Sequence, residues 1–294
     1  MPMETAQIIQ ISRFCTDDGP GIRTTVFLKG CPLSCAWCHN PESQQPREEL
    51  LYKQEVCLHC GRCAAACPKG CHVLQDGVHT VHRNSCIGCG LCVKACPAKA
   101  LEVMGRTVTV QEVFETVARD AVFYGSNGGV TVSGGEPLAR PDFTAALLRR
   151  CKEAGIRTAI ETSGFAPRAA VEKVVPLCDL VLFDLKESDP EKHKAFTGVP
   201  LAPILENLRR VDAMGIPTLL RLPVIPGWND REEHLLQAKA VAASLRHCTG
   251  LEVMPYHSLG AYKYTQLGRE YRCAQVAEPS KETADRWRQL VSEV

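Results

Sequence analysis

Two copies of one cysteine pattern, Cys-x2-Cys-x2-Cys-x3-Cys-Pro, stand in tandem at Cys57, Cys60, Cys63, Cys67-Pro68 and at Cys86, Cys89, Cys92, Cys96-Pro97. No hydrophobic pattern in the chain constrains its fold as tightly. Nine of the 17 cysteines lie between residues 57 and 96, so the core of that stretch has to form on something other than side-chain packing. Zinc sites come as two Cys-x2-Cys halves with four ligands, whereas runs of this spacing are an iron–sulfur pattern. In a small secreted chain so many cysteines would mean disulfides. Over 294 residues, at metal-ligand spacing, they point to a reducing cytosol.

A second group of thiols is smaller and different in kind. Cys31, Cys35 and Cys38 follow the apolar run RTTVFLKG (23–30), and no fourth cysteine partners them locally, because the next, Cys57, belongs to the repeat. Three thiolates hold three irons of a four-iron cluster and leave the fourth iron without a protein ligand. A metal site with an open position is built for chemistry; a closed one serves structure or electron transfer.

Charge and hydropathy exclude other classes. With 34 basic against 33 acidic residues and a net charge of +1, the chain carries no footprint for nucleic acid or an anionic membrane. No segment reaches the roughly 18 consecutive apolar residues that a membrane span needs. The start, MPMETAQIIQIS, lacks a basic region followed by a long apolar run, so no signal peptide is expected and the expected location is the cytoplasm.

The rest of the chain alternates. QIIQISRF (7–14) and RTTVFLKG (23–30) read as strands around the turn Asp17-Asp18-Gly19-Pro20-Gly21. Residues 41–54 read as a polar linker. Within 51–104 each cysteine run is followed by a strand-like segment, VHTVH and ALEVM. Residues 109–125 have helical spacing, with Val110, Val113, Phe114, Val117, Ala118 and Ala121 on one face. Apolar strands follow at 129–135, 156–164, 179–186, 216–227 and 251–257. Helices are expected at 142–155, at 167–177, in stretches up to about 214, at 231–247 and at about 279–292. Apolar strands separated by amphipathic helices mean a parallel sheet covered by helices. About six β/α units are too few for a closed eight-fold barrel, so an open, partial (β/α)6 barrel is expected. Ligands of such folds gather at the carboxyl ends of the strands. There stand Cys31, Gly134-Gly135-Glu136, Glu161-Thr162, Asp184-Leu185-Lys186, Arg221 and His257.

The run DGPGIRTTVFLKGCPLSCAWCHNPES (18–43) resembles the signature of glycyl radical enzyme activating enzymes, a branch of the radical SAM superfamily. The later strand-end motifs fall in that family's order, so the resemblance covers nearly the whole chain. It implies that S-adenosylmethionine (SAM) chelates the open iron of a [4Fe-4S] cluster on Cys31, Cys35 and Cys38. One electron then breaks the sulfonium–C5′ bond, and the 5′-deoxyadenosyl radical removes the Cα hydrogen of one glycine in a partner glycyl radical enzyme. By the same resemblance Gly134, Gly135 and Glu136 serve the SAM amino group. Asp184, Leu185 and Lys186 lie beside SAM, with the Lys186 cation at its carboxylate. Trp37, His39 and Asn40 line the adenine side, and Arg221 and His257 contact SAM. Glu161, Thr162 and Asp184 form a candidate monovalent cation site, although Glu161 stands where the family has Asp. Asp18, Gly19, Pro20 and Gly21 resemble the loop that touches the partner's glycine segment.

The tandem repeat resembles bacterial two-cluster ferredoxins, in which the fourth cysteine of each run ligates the other run's cluster. That implies [4Fe-4S] clusters on Cys57, Cys60, Cys63 with Cys96 and on Cys86, Cys89, Cys92 with Cys67. Cys71, four residues after Cys67, reads as a spare thiol or a substitute ligand. Residues 51–104 are thus expected to be a ferredoxin-like insert in a radical SAM core of 1–50 and 105–294. The insert would pass electrons from a ferredoxin or flavodoxin. The family suggests a monomer that docks transiently on its partner. A competing reading is a radical SAM enzyme that modifies a small molecule or peptide with auxiliary clusters. The Asp18–Gly21 loop favours the first. An electron-carrier subunit would leave Cys31–Cys38 and Gly134–Glu136 unexplained.

Overall fold

The computed structural model describes residues 4–292. The ends of the expected core, 1–3 and 293–294, lie outside the described residues. In chain order the strands are β1 (Thr5–Cys15), β2 (Arg23–Leu28), β3 (Glu49–Tyr52), β4 (His72–Gln75), β5 (Val78–Val81), β6 (Leu101–Met104), β7 (Arg106–Thr109), β8 (Gly129–Gly134), β9 (Arg157–Thr162), β10 (Leu180–Asp184), β11 (Thr218–Val224) and β12 (Cys248–Pro255). The main sheet has the order β12-β11-β10-β9-β8-β2-β1-β7. From β2 through β8 to β12 every pairing is parallel. β1 and β7 extend the β2 edge antiparallel. The parallel part has the expected six strands, and the sheet ends at β12 and β7 instead of closing.

Helices α1 (Arg62–Ala66) and α2 (Leu91–Ala95) belong to the cysteine-rich stretch. The others are α3 (Val110–Arg119), α4 (Pro141–Glu153), α5 (Arg168–Val174), α6 (Pro190–Thr197), α7 (Ala202–Ala213), α8 (Glu232–Ala243), α9 (Ala261–Leu267) and α10 (Lys281–Val291). α4 to α8 connect successive parallel strands. β8 is buried along almost its whole length, as a strand covered on both faces must be. The helix expected over 109–125 is shorter, with a local cause at its start and distant partners at its end. Thr109 and Glu112 form a reciprocal capping box at the start. At the end the Asp120 carboxylate accepts from Arg13 and, at 2.7 Å, from Thr24 Oγ1, which fixes the chain where the helix stops.

Two expectations change. Residues 41–54 are not a linker throughout: Leu50, Leu51 and Tyr52 are buried, and β3 pairs antiparallel with β6. The edge strand β7 went unread, because four residues of RTVT carry little apolar signal. Two polar residues also sit where the pattern shows only strand. Arg23 is buried and donates to Val130 O at 2.6 Å and to Thr131 Oγ1 at 2.6 Å, tying β2 to β8. Lys29 has no exposed surface and pairs with Glu49 at 3.0 Å. That pair joins the end of β2 to the start of β3.

The cysteine-rich stretch repeats its geometry. A strand, three cysteines with a five-residue helix, and a second strand occur twice, and β3 pairs with β6 while β4 pairs with β5. Each helix starts after a left-handed glycine, Gly61 (φ 75°) or Gly90 (φ 69°).

Candidate active site

The carboxyl ends of all six parallel strands meet around one cavity of about 320 Å³. Phe27 comes from β2, Gly134 from β8, Glu161 from β9, Asp184 from β10, Arg221 from β11 and Met254 from β12. Cys31, Cys35 and Cys38 line the same space. Their loop is pinned by its backbone: Cys31 N donates to Gln44 O (3.0 Å), Ser34 N to Thr197 O (2.8 Å) and Ala36 N to Phe196 O (2.9 Å). Trp37 is buried edge-on between Phe196 and Trp228, and Tyr264 Oη donates to Cys38 O at 2.9 Å. The three thiols are free, and burial pushes all of them up, Cys35 to about 12. A metal bound here therefore displaces protons from preplaced ligands.

The second strand-end motif is a packing device. Gly134 has φ +99°, and a Cβ there would lie 2.4 Å from Leu28 N. A Cβ on Gly135 would lie 2.3 Å from Gly30 O. Gly135 N donates to Leu28 O and Glu136 N to Gly30 O, so these glycines let β8 press against the segment that delivers Cys31. Gly134→Ala is expected to cost about 2–4 kcal/mol from left-handed strain plus overpacking. Thermal unfolding would reveal it, with iron retention on the Cys31 loop falling in parallel.

Charges in the cavity are interlocked. Lys186 Nζ donates to Asp184 Oδ2 at 2.9 Å. Burial opposes its charge, but Asp184, Cys35 and Cys31 outweigh that and hold the ammonium above its ordinary value. Arg221 donates to Glu252 at 2.9 Å, to Glu161 at 3.0 Å and to Asp17 O, so one buried guanidinium ties β11, β12 and β9 to the loop after β1. Burial and then Asp184 push the Glu161 carboxyl up, against Arg221. His39 stacks on His257 with ring centres 3.9 Å apart. Burial, then His257, pushes His39 down to about 4, so the ring is neutral at pH 7. His39 Nε2 and His257 Nδ1 are buried without a protein partner, which suits a ligand rich in donors and acceptors.

A model for the Radical SAM superfamily matches residues 25–238. The benzylsuccinate synthase activating enzyme of Thauera aromatica is 44% identical over 275 residues, 91% of this chain and 83% of that protein. The chain belongs to the radical SAM superfamily, among its activating enzymes. The trans-4-hydroxy-L-proline dehydratase activating enzyme of Clostridioides difficile is 38% identical over 287 residues, 96% of this chain and 95% of that protein. A radical SAM methyltransferase from Sphaerobacter thermophilus shares the fold at 16% identity, with a TM-score of 0.50 over 92% of this chain and 63% of that one.

Most residues expected in this radical SAM site line the cavity: the three cysteines, Trp37, His39, Asn40, Gly134, Gly135, Asp184, Lys186, Arg221, His257 and Asp18. Glu136, Thr162 and Leu185 do not. Glu136 is buried, and its carboxylate faces Thr162 and Ser163 instead. Of the expected cation trio, Glu161 and Asp184 share the cavity, paired with Arg221 and Lys186, while the Thr162 hydroxyl donates to Glu136. Leu185 is buried in the main hydrophobic core. Gly19, Pro20 and Gly21 shape the loop beside the cavity, and a Cβ on Gly21 would meet Gly128 N at 2.5 Å. Asn229 escaped the sequence reading. Fully buried, it donates to Lys186 O at 2.8 Å and Pro223 O at 2.7 Å and accepts from Ile225 N at 2.7 Å, which fixes the backbone that carries Lys186. An Asn after a Pro-Gly-Trp turn was its only signal.

The cysteine-rich stretch of this radical SAM protein brings its thiols together in the crossed order. Cys57, Cys60, Cys63 and Cys96 line one cavity. Cys67, Cys86, Cys89 and Cys92 line another, with Cys71. Matching backbone bonds appear in the two halves: Cys71 N donates to Cys67 Sγ and Ala100 N to Cys96 Sγ, each at 3.3 Å. Cys71 is buried, and burial and then Cys67 push its thiol up to about 11. No described helix is long and apolar enough to cross a membrane.

Proposed function

We propose that this chain cleaves SAM reductively and takes the Cα hydrogen from one glycine of a partner glycyl radical enzyme. One observation carries the reading: three preplaced thiols face a single cavity that every parallel strand end shares. The four-iron cluster expected there supplies the one electron that splits SAM into methionine and the 5′-deoxyadenosyl radical. The chain's own residues bind, orient and exclude water. Cys31, Cys35 and Cys38 would hold the iron. Lys186, kept charged and aimed by Asp184, offers a cation to the SAM carboxylate. The stacked His39–His257 pair, with Trp37 and Asn40, offers flat surface and unpaired nitrogens to adenine. Asp18, Gly19, Pro20 and Gly21 stand at the rim as the loop for the partner's glycine. The partner itself is a separate protein, for which this chain would be a transiently docking monomer.

In the same reading residues 51–104 form a ferredoxin-like insert with two [4Fe-4S] clusters, inside a core of 1–50 and 105–294. The crossed grouping of the eight cysteines supports it. A ferredoxin or flavodoxin is the expected donor. Fully reconstituted chain should then hold about 12 Fe, from three clusters of four. A count near 4 would remove the insert's clusters.

The test is spectroscopic. Reduced protein, SAM and a panel of partners, beginning with benzylsuccinate synthase and trans-4-hydroxy-L-proline dehydratase, are mixed and examined by electron paramagnetic resonance. The expected result is a protein-based glycyl radical with one partner class. Release of 5′-deoxyadenosine with no such radical across the panel, and with a small molecule or peptide consumed, would overturn the proposal.

A further inference from the structure

Two buried histidines lie between the two four-cysteine cavities. His79 lines the cavity of Cys57, Cys60, Cys63 and Cys96, and His72 lines the other. They are 6% and 5% exposed, and His72 Nδ1 is 3.0 Å from His79 Nε2. His79 Nδ1 is 3.6 Å from Cys57 Sγ. His79 Nε2 is also 3.7 Å from Cys63 Sγ, so both nitrogens of its ring reach sulfurs of one four-cysteine set.

A thiolate that ligates iron only accepts. His79 turns one nitrogen to each of two such sulfurs, Nδ1 to Cys57 and Nε2 to Cys63, so whichever nitrogen carries the proton, an N–H of His79 faces a sulfur of that one cluster. His72 contacts His79, no described hydrogen bond joins it to a sulfur, and its Nε2 is buried without a partner.

The other half of the repeat has no counterpart. His72 stands five residues after Cys67, and the position five after Cys96 is Leu101. His79 stands seven before Cys86, and the position seven before Cys57 is Leu50. The backbone N–H to sulfur bonds from Cys71 and Ala100 match in the two halves, while His59 N adds a 3.5 Å bond to Cys57 Sγ, on the same cluster that His79 faces.

We propose that the His72–His79 pair makes the two auxiliary clusters unequal, giving the cluster on Cys57, Cys60, Cys63 and Cys96 the higher reduction potential. An N–H aimed at a ligand sulfur stabilises the more negative, reduced cluster. An electron shared by the two clusters therefore rests on that one. The inference stands on the reading that the insert holds both clusters.

The experiment is a redox titration of the reconstituted full chain, followed by electron paramagnetic resonance, with iron and zinc counted on each sample. Unaltered protein should show two separate auxiliary steps. His79→Leu, which installs the residue of the other half, should lower the upper step about tenfold in its equilibrium, or roughly 59 mV for one electron. His79→Gln retains an N–H donor and should keep most of the separation. About 12 Fe with an unmoved step in His79→Leu overturns the pair's role. Zinc at one per chain with about 8 Fe would put a single ion on Cys63, His72 and His79, whose ligand atoms lie within 4.8 Å of one another, and would also overturn it. Iron near 4 in the unaltered protein would instead refute the cluster reading beneath it.

Discussion

Replacing Cys35 with Ala is expected to reduce SAM cleavage to background while leaving the chain folded. Iron should fall from about 12 to about 8 per chain, because one cluster of three is lost and the insert is untouched. Cys35 only borders the main hydrophobic core, so the truncation removes little packing, on the order of 1 kcal/mol. Activity and stability therefore separate cleanly in this variant. Cys57→Ala and Cys86→Ala should behave the other way. With dithionite as reductant SAM cleavage should continue. With a ferredoxin or flavodoxin as donor it should slow, since the insert no longer passes the electron. If both rates stay at the unaltered level with both reductants, the insert is no relay. If Cys35→Ala still cleaves SAM at more than a background rate, the Cys31–Cys38 cavity is not where the chemistry occurs.

Why these sites were legible follows from how far their determinants reach along the chain. The cysteine patterns are local: spacing alone places Cys31, Cys35 and Cys38 on one loop, and the two runs in mirrored halves. The parallel strands were legible because burial on both faces leaves unbroken apolar runs such as LVLF in β10. What failed to show depends on distant partners. β3 hides in a charged stretch, because its burial comes from pairing with β6, some fifty residues on. Lys29 reads as a solvated residue until Glu49 is beside it. His72 and His79 carried no signal until the fold set a nitrogen of one ring 3.0 Å from a nitrogen of the other between two cavities. Asn229 acts through backbone atoms of Lys186, 43 residues away.

Glu136 is the sharpest such case, and its substitution should have the largest effect on stability. Read from its motif, the carboxylate meets the ammonium of SAM. In the fold it accepts from Leu138 N (3.0 Å) and Thr162 Oγ1 (2.6 Å) on one oxygen, and from Ser163 N (2.9 Å) and Ser163 Oγ (2.6 Å) on the other. Burial outweighs these four donors and pushes the carboxyl above its ordinary value. Glu136→Ala strands four buried donors. At about 1–3 kcal/mol for each unsatisfied group, partly relieved by water, the loss should be about 4 kcal/mol. Glu136→Gln, normally a mild change, should still cost about 2 kcal/mol. Whichever way the amide turns, its NH2 faces a backbone N–H that cannot rotate away, whereas the hydroxyls of Thr162 and Ser163 can. Thermal unfolding of both variants, beside SAM affinity measured by calorimetry, separates the two roles. A carboxylate that only bound ligand would leave the unfolding midpoint unmoved in both and weaken SAM alone. A midpoint that falls in the order native, Gln, Ala would make Glu136 the brace between the ends of β8 and β9, with Gly134 and Gly135 left as the motif's face to the cavity.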